Sequence, residues 1–102
     1  MTKQILMPMP CRILATGEIL PFEPDEERKF NLGQLQKAVG GYIEVVHLYR
    51  SEDEKEPRSH TRLMVVNEEG LVHDQPLNLL ASCIARQPIV GDVALIYGDQ
   101  ID

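Results

Sequence analysis

The sequence predicts a single α+β domain: a largely antiparallel sheet with two short helices packed on one face, in the order ββ-α-ββ-α-β. Three observations carry that expectation. Residues 32–48 run LGQLQKAVGGYIEVVHL, an amphipathic stretch, a glycine pair and a β-branched run. Residues 63–78, LMVVNEEGLVHDQPLN, take an apolar run through a polar turn and Pro76 to an asparagine placed where a helix starts. Residues 88–98, PIVGDVALIYG, end the chain's regular pattern on a stretch of high β propensity.

Each element has its own justification. Residues 5–7 and 11–14 are short apolar groups, and Ala15-Thr16-Gly17-Glu18 is a turn leading into residues 19–22. Prolines at 8, 10, 21 and 24 each remove a ladder donor, so a bent or edge strand pair is expected here. Residues 24–29 are charged and read as a solvated loop. Asn31 then caps a helix, Gln34 three residues on completes a capping-box pair, and Phe30 and Leu35 are spaced as a hydrophobic staple. Leu32, Leu35 and Val39 supply its apolar face, and Gly40 fits the left-handed position that ends it.

Residues 42–49 form the next strand, and the charged residues 50–59, with Pro57, form a hairpin loop from which residues 60–67 return. Glu68-Glu69-Gly70 makes a turn in which Gly70 can take positive φ. Asn78 caps a second helix over residues 79–86, with Leu79, Leu80, Cys83 and Ile84 on its apolar face and Pro88 barring its continuation. Residues 92–97 are apolar at both parities, the mark of a central strand.

Composition narrows the functional classes. A chain of 102 residues, 43% hydrophobic and 25% charged, suits one soluble domain. A net charge of −6 and scattered basic residues argue against nucleic acid or anionic lipid as partner. They suit a basic protein partner or, as a lesser variant, mimicry of DNA. Cys11 and Cys83 both lie in apolar settings and are expected as buried, reduced thiols. The N-terminal run, broken by Pro8 and Pro10, resembles neither a signal peptide nor a membrane span, so a cytoplasmic location is expected.

Residues 32–98 resemble a family of small phage-, plasmid- and actinobacterium-borne proteins described only as a domain of unknown function. The resemblance rests on LGQLQKAVGGYIEVV, VVNEEG, QPLN followed by a short helix, and IVGDVAL, in that order. The first thirty residues, the acidic stretch 52–56 and Gln75 before Pro76 depart from the family pattern. The resemblance implies a fold and a mobile-element context, with interference with host defence as one outlet, and no established activity.

Chemical constellations are sparse. His47, His60 and His73 are evenly spaced, but no short Cys/His pair accompanies them as zinc sites require, and no metal is expected. With Tyr49 paired to His60, His47 would face Arg62, a poor neighbour for a cation. Glu26-Glu27 and Glu68-Glu69 are adjacent pairs on turns, where side chains diverge. Ser82 and Cys83 lack a base nearer than His73. Gly40-Gly41 follows a helix instead of opening one, so it is no phosphate loop, and no cofactor is expected. The start of the second helix is the remaining place for an anion.

The polar candidates are Asn67 and Asn78, each placed to be fixed by backbone bonds, with Tyr42, Tyr49, Arg50 and Arg62 at the hairpin as ligand- or partner-binding residues. For both asparagines the structural alternative is turn formation and helix capping. Three functions are therefore open. The first is a non-enzymatic accessory binding protein acting through a host protein or self-association. The second is a sequestering protein that holds a nucleotide-like ligand between the hairpin and the second helix. The third is a small hydrolase with Glu68 or Glu69 as base and His73 as acid.

Overall fold

A computed structural model describes residues 9–24, 29–48 and 62–100. Strand β1 (Cys11–Ile13) turns through a tight loop, with Leu14 N–H donating to Glu18 O at 2.9 Å, into β2 (Ile19–Pro21). Helix α1 (Leu32–Val39) follows, then β3 (Ile43–His47), β4 (Arg62–Asn67), helix α2 (Leu79–Ala85) and β5 (Val93–Tyr97). The α+β class and the element order are as expected from the sequence. The expected strand material at residues 5–7 and the hairpin loop beyond Leu48 lie outside the described residues.

All pairings in the five-stranded sheet are antiparallel, and its order is β2-β1-β5-β4-β3. The central position of β5 matches its two-sided apolar pattern: Val93 to Ile96 are all buried. The prolines act as expected on β2, an edge strand, whereas β1 starts straight after Pro10 and lies inside the sheet between β2 and β5.

The helices do not share a face. Successive strand residues point to opposite sides of a sheet, and the core divides accordingly. Leu35 and Val39 of α1 pack with Phe30, Leu63, Val65, Ala94 and Ile96. Ala81 of α2 packs with Cys11, Ile13, Met64, Val66, Val93 and Leu95 on the other side, with Leu80 and Ile84 half-buried against them. The reason lies in β4 and β5, whose residues are apolar at both parities: with both faces dry, each helix must cover one. The protein is thus a three-layer α/β/α sandwich.

Helix α1 begins and ends by the expected devices. Asn31 Oδ1 accepts from Gln34 N–H at 2.7 Å, and Gly40 closes the helix at φ 82° with its N–H on Gln36 O. The Gln34 carboxamide donates to Glu23 O at 2.6 Å, tying the loop after β2 to the helix. Phe30 is fully buried with Leu35, as a staple requires, and stacks on Phe22 with ring centroids 4.6 Å apart. Leu32 departs from expectation: it is 57% exposed, and Ala38 joins Leu35 and Val39 on the buried side.

Helix α2 is also rotated from its expected face. Ala81 is its buried residue, Leu79 is 70% exposed and Cys83 is exposed. The rotation follows from Asn78, which is 1% exposed and fixes the first turn. Its Oδ1 accepts from Ala81 N–H at 3.1 Å, while its Nδ2 donates to Ile13 O and Gly91 O, both at 2.9 Å. The helix ends at Arg86, in the left-handed region at φ 59°. In the turn after β4 the positive φ falls on Asp74 (φ 52°), not Gly70.

Replacing Asn78 tests this account. Asn78→Ala removes the cap acceptor and two buried hydrogen bonds, and is expected to cost about 3 kcal/mol in urea unfolding. Asn78→Asp keeps the cap acceptor but turns a buried carboxylate oxygen onto the carbonyls of Ile13 and Gly91, and is expected to cost at least as much as Asn78→Ala at neutral pH.

Candidate functional site

The polar candidates separate into two ends of one strand pair. The ladder runs Ile43↔Asn67 to His47↔Leu63. Tyr42, 65% exposed, accepts from Glu68 N–H through its carbonyl at 2.8 Å, and so lies beside Asn67. Arg62 is at the other end, paired with Tyr97 on β5, about 17 Å away at ~3.4 Å per strand residue. Tyr42 and Arg62 therefore do not form one site. Tyr49 and Arg50 lie outside the described residues, as do Glu26-Glu27, the acidic stretch 52–56 and His60. The register is one residue off the expected one, so His47 faces Leu63 and not Arg62.

Both asparagines take the structural alternative. Asn67 is 7% exposed; its Oδ1 accepts from Glu69 N–H at 2.8 Å, which forms the turn, and its Nδ2 donates to Val39 O at 3.1 Å. That second bond ties the end of α1 to the end of β4. Asn78 has both carboxamide atoms engaged with backbone, and its Oδ1 takes Ala81 N–H, one of the amides at the helix start that an anion would need. Ser82 is similarly held: its hydroxyl donates to Asn78 O at 2.7 Å and accepts from Ile89 N–H at 2.8 Å.

The groups of the hydrolase reading share one turn, where His73 N–H donates to Glu69 O at 3.0 Å, but Glu68, Glu69 and His73 are all exposed. No cluster of three His, Cys, Asp or Glu among the described residues is arranged to hold a metal. No helix among them is long and apolar enough to cross a membrane.

Among the described residues, two concavities bear on these readings. One, of about 180 Å³, lies on the α2 side, between the β3–β4 pair and the segment after α2. Glu44, Val46, Asn67, Glu68, Leu71 and Ile89 are among its walls. This is where the sequestering reading expects a ligand, although Asn78 is not among the walls, and pockets for drug-sized ligands usually exceed ~300 Å³. The other, of about 400 Å³, lies on the α1 side and is lined by Arg12, Thr16, Lys37, Gly40, Gln75 and Asp92, among others.

Sequence reasoning missed the second concavity because it treated residues 11–14 as uniform strand material. Arg12 between two fully buried residues was the available signal: alternation sends it to the opposite face. There its Nη2 donates to Ala38 O at 3.4 Å, placing a cation at the negative end of α1. Arg12 Nε and Gln75 Oε1 are buried without hydrogen-bond partners, and both residues line this concavity. Gln75 is held over Gly91, whose φ of 77° and contact with Gln75 Oε1 leave no room for a side chain.

The two thiols differ, against the expectation that both are buried. Cys11 is buried, and that burial raises its pKa above the usual value. Cys83 is exposed. A thiol reagent should therefore label Cys83 quickly in the folded protein and Cys11 only on unfolding; peptide mapping after a short pulse checks the assignment.

No curated protein and no solved structure matches the chain. The family described as Domain of unknown function (DUF3846) does, over residues 16–102, reaching further toward the N-terminus than the motifs in residues 32–98. With strands β2 to β5 and both helices inside that match, the chain belongs to this family.

Proposed function

We propose that the chain is a non-enzymatic accessory binding domain of phage or mobile-element type, working in the cytoplasm and acting through another protein. The observation that carries this reading is apolar surface left outside both cores. Leu71 and Val72 are 78% and 77% exposed, Leu77 is 50% exposed and Leu79 is 70% exposed. Leu77 bridges to Val90, which lines the smaller groove together with Leu71, so Leu71 and Leu77 lie in one region. Clustered exposed apolar side chains on a small domain suit a place where another protein sits. In the mobile-element setting the partner is a host protein, with interference with host defence as the outlet.

The test is the double substitution Leu71→Ser/Val72→Ser. Both side chains are solvent-exposed, so the expected change in stability is within about 0.5 kcal/mol. Complexes recovered by cross-linking in host cells should be lost in the folded variant. Undiminished complexes in that variant would refute this placement.

A second reading, small-ligand sequestration, is favoured by the unpaired Arg12 Nε and Gln75 Oε1 at the larger concavity. A nucleotide-like ligand that displaced the side chains covering these atoms would offer an acceptor to the first and a donor to the second. At a hundred times its Kd such a ligand stabilises the fold by about 2.7 kcal/mol, an easily read rise in Tm. An unmoved Tm across a broad nucleotide panel would dismiss it.

A further inference from the structure

The two edges of the sheet are built differently. Leu14 N–H donates to Glu18 O and Phe22 N–H to Pro10 O, so even-numbered residues of the hairpin bond inward. The outward positions of β2 are then Ile19 and Pro21, and proline has no N–H to offer. This edge is three residues long and has one outward donor. At the other edge, Glu68 N–H donates to Tyr42 O at 2.8 Å and Leu48 N–H to Arg62 O at 3.4 Å. The same parity argument turns Tyr42, Glu44, Val46 and Leu48 toward β4, and turns the N–H and C=O of Ile43, Val45 and His47 away from the sheet.

Among the described residues nothing pairs with those outward groups. Natural edge strands are usually blunted by proline, lysine, a bulge or extreme shortness. Strand β3, IEVVH, is five residues long, contains neither proline nor lysine, and keeps an unbroken register with β4. Ile43, Val45 and Val46 are only half-buried. Such an edge is able to accept another strand by main-chain hydrogen bonding.

Charge selects the occupant. The groove on the α2 side of β3 has Glu44 and Glu68 in its walls and no Lys or Arg. A second copy paired about a two-fold axis at Val45 would set Glu44 diagonally against a second Glu44, in a complex of two chains that each carry −6. A basic segment would bring the opposite charge to the same position. We infer that β3 takes, as a sixth strand, an extended segment of another protein in which Lys or Arg faces Glu44 and β-branched residues face Val45. This deepens the binding-domain reading, on which it rests, by naming the partner's chemistry at the groove that Leu71 also lines.

The probe is a nine-residue capped peptide alternating lysine and valine, compared with its glutamate-for-lysine counterpart and with a version methylated at alternate backbone nitrogens. Binding is followed through the amide resonances of Ile43, Val45 and His47. The lysine peptide should shift these resonances and bind at least tenfold tighter than either comparison peptide. Glu44→Lys should invert the preference between the lysine and glutamate peptides. Val45→Pro removes an outward donor without deleting a bond to β4, and should abolish binding while the remaining resonances stay native. If that variant does not fold, the Glu44→Lys inversion decides. Equal affinity for the lysine and glutamate peptides would overturn the inference, and so would a dimer in sedimentation that Val45→Pro dissociates. If no peptide binds while the complexes sensitive to Leu71→Ser/Val72→Ser persist, strand addition fails and the binding-domain reading stands. If those complexes are absent too, both fall.

Discussion

The carboxamide of Asn78 is the constraint on which most of the architecture depends. At 1% exposure it reaches backbone groups in α2, in β1 and in the turn before β5. A hydrogen bond from such a group contributes about 1 kcal/mol when made, and leaving its buried partners unsatisfied costs more. The bonds therefore act less as added stability than as a restriction: α2 can sit on the sheet only where two carbonyls and one amide converge. Asn67 plays a related part on the other side, joining the end of α1 to β4 through Val39 O. One asparagine thus anchors each covering helix to the sheet.

Between those anchors the sheet imposes its own demand. Leu63, Met64, Val65 and Val66 are consecutive and all buried, a pattern possible only if both sides of β4 are covered. A seven-residue and an eight-residue helix are too short to be stable in isolation. They are held by the apolar surface they cover, and each covers one side.

Much of this was readable from the sequence because its signals are local. Asn31, Gly40 and Asn78 sit at helix ends where their chemistry admits few other roles, and the two-sided apolar run ending at Tyr97 had to be central. The placement of both helices on one face failed because an amphipathic stripe looks the same whichever side of a sheet it meets. The run LMVV held the missing information: a strand dry on both sides needs two covers. The exposure of Cys83 was hidden because Ala81, small and unremarkable in sequence, is the residue that points into the core. The candidate site was less legible. Asn67 and Asn78 stood out as polar residues in apolar settings, but that same setting makes backbone their partner. Tyr42 and Arg62 looked close along the hairpin, yet a strand separates its ends. Arg12 and Gln75, with unpaired buried atoms, gave weak signals because a single charge within a strand reveals its meaning only once the facing helix is placed.

The unequal edges of the sheet also govern how far any assembly can extend. A sheet open on both sides can propagate, each added copy presenting a fresh edge to the next, and so drift toward filaments. Among the described residues Pro21 blunts one edge, leaving β3 as the more open one. A second copy of this chain joined edge to edge at β3 would show only its own blunted β2 edge beyond, so the fold disfavours runaway polymerisation of its own chains.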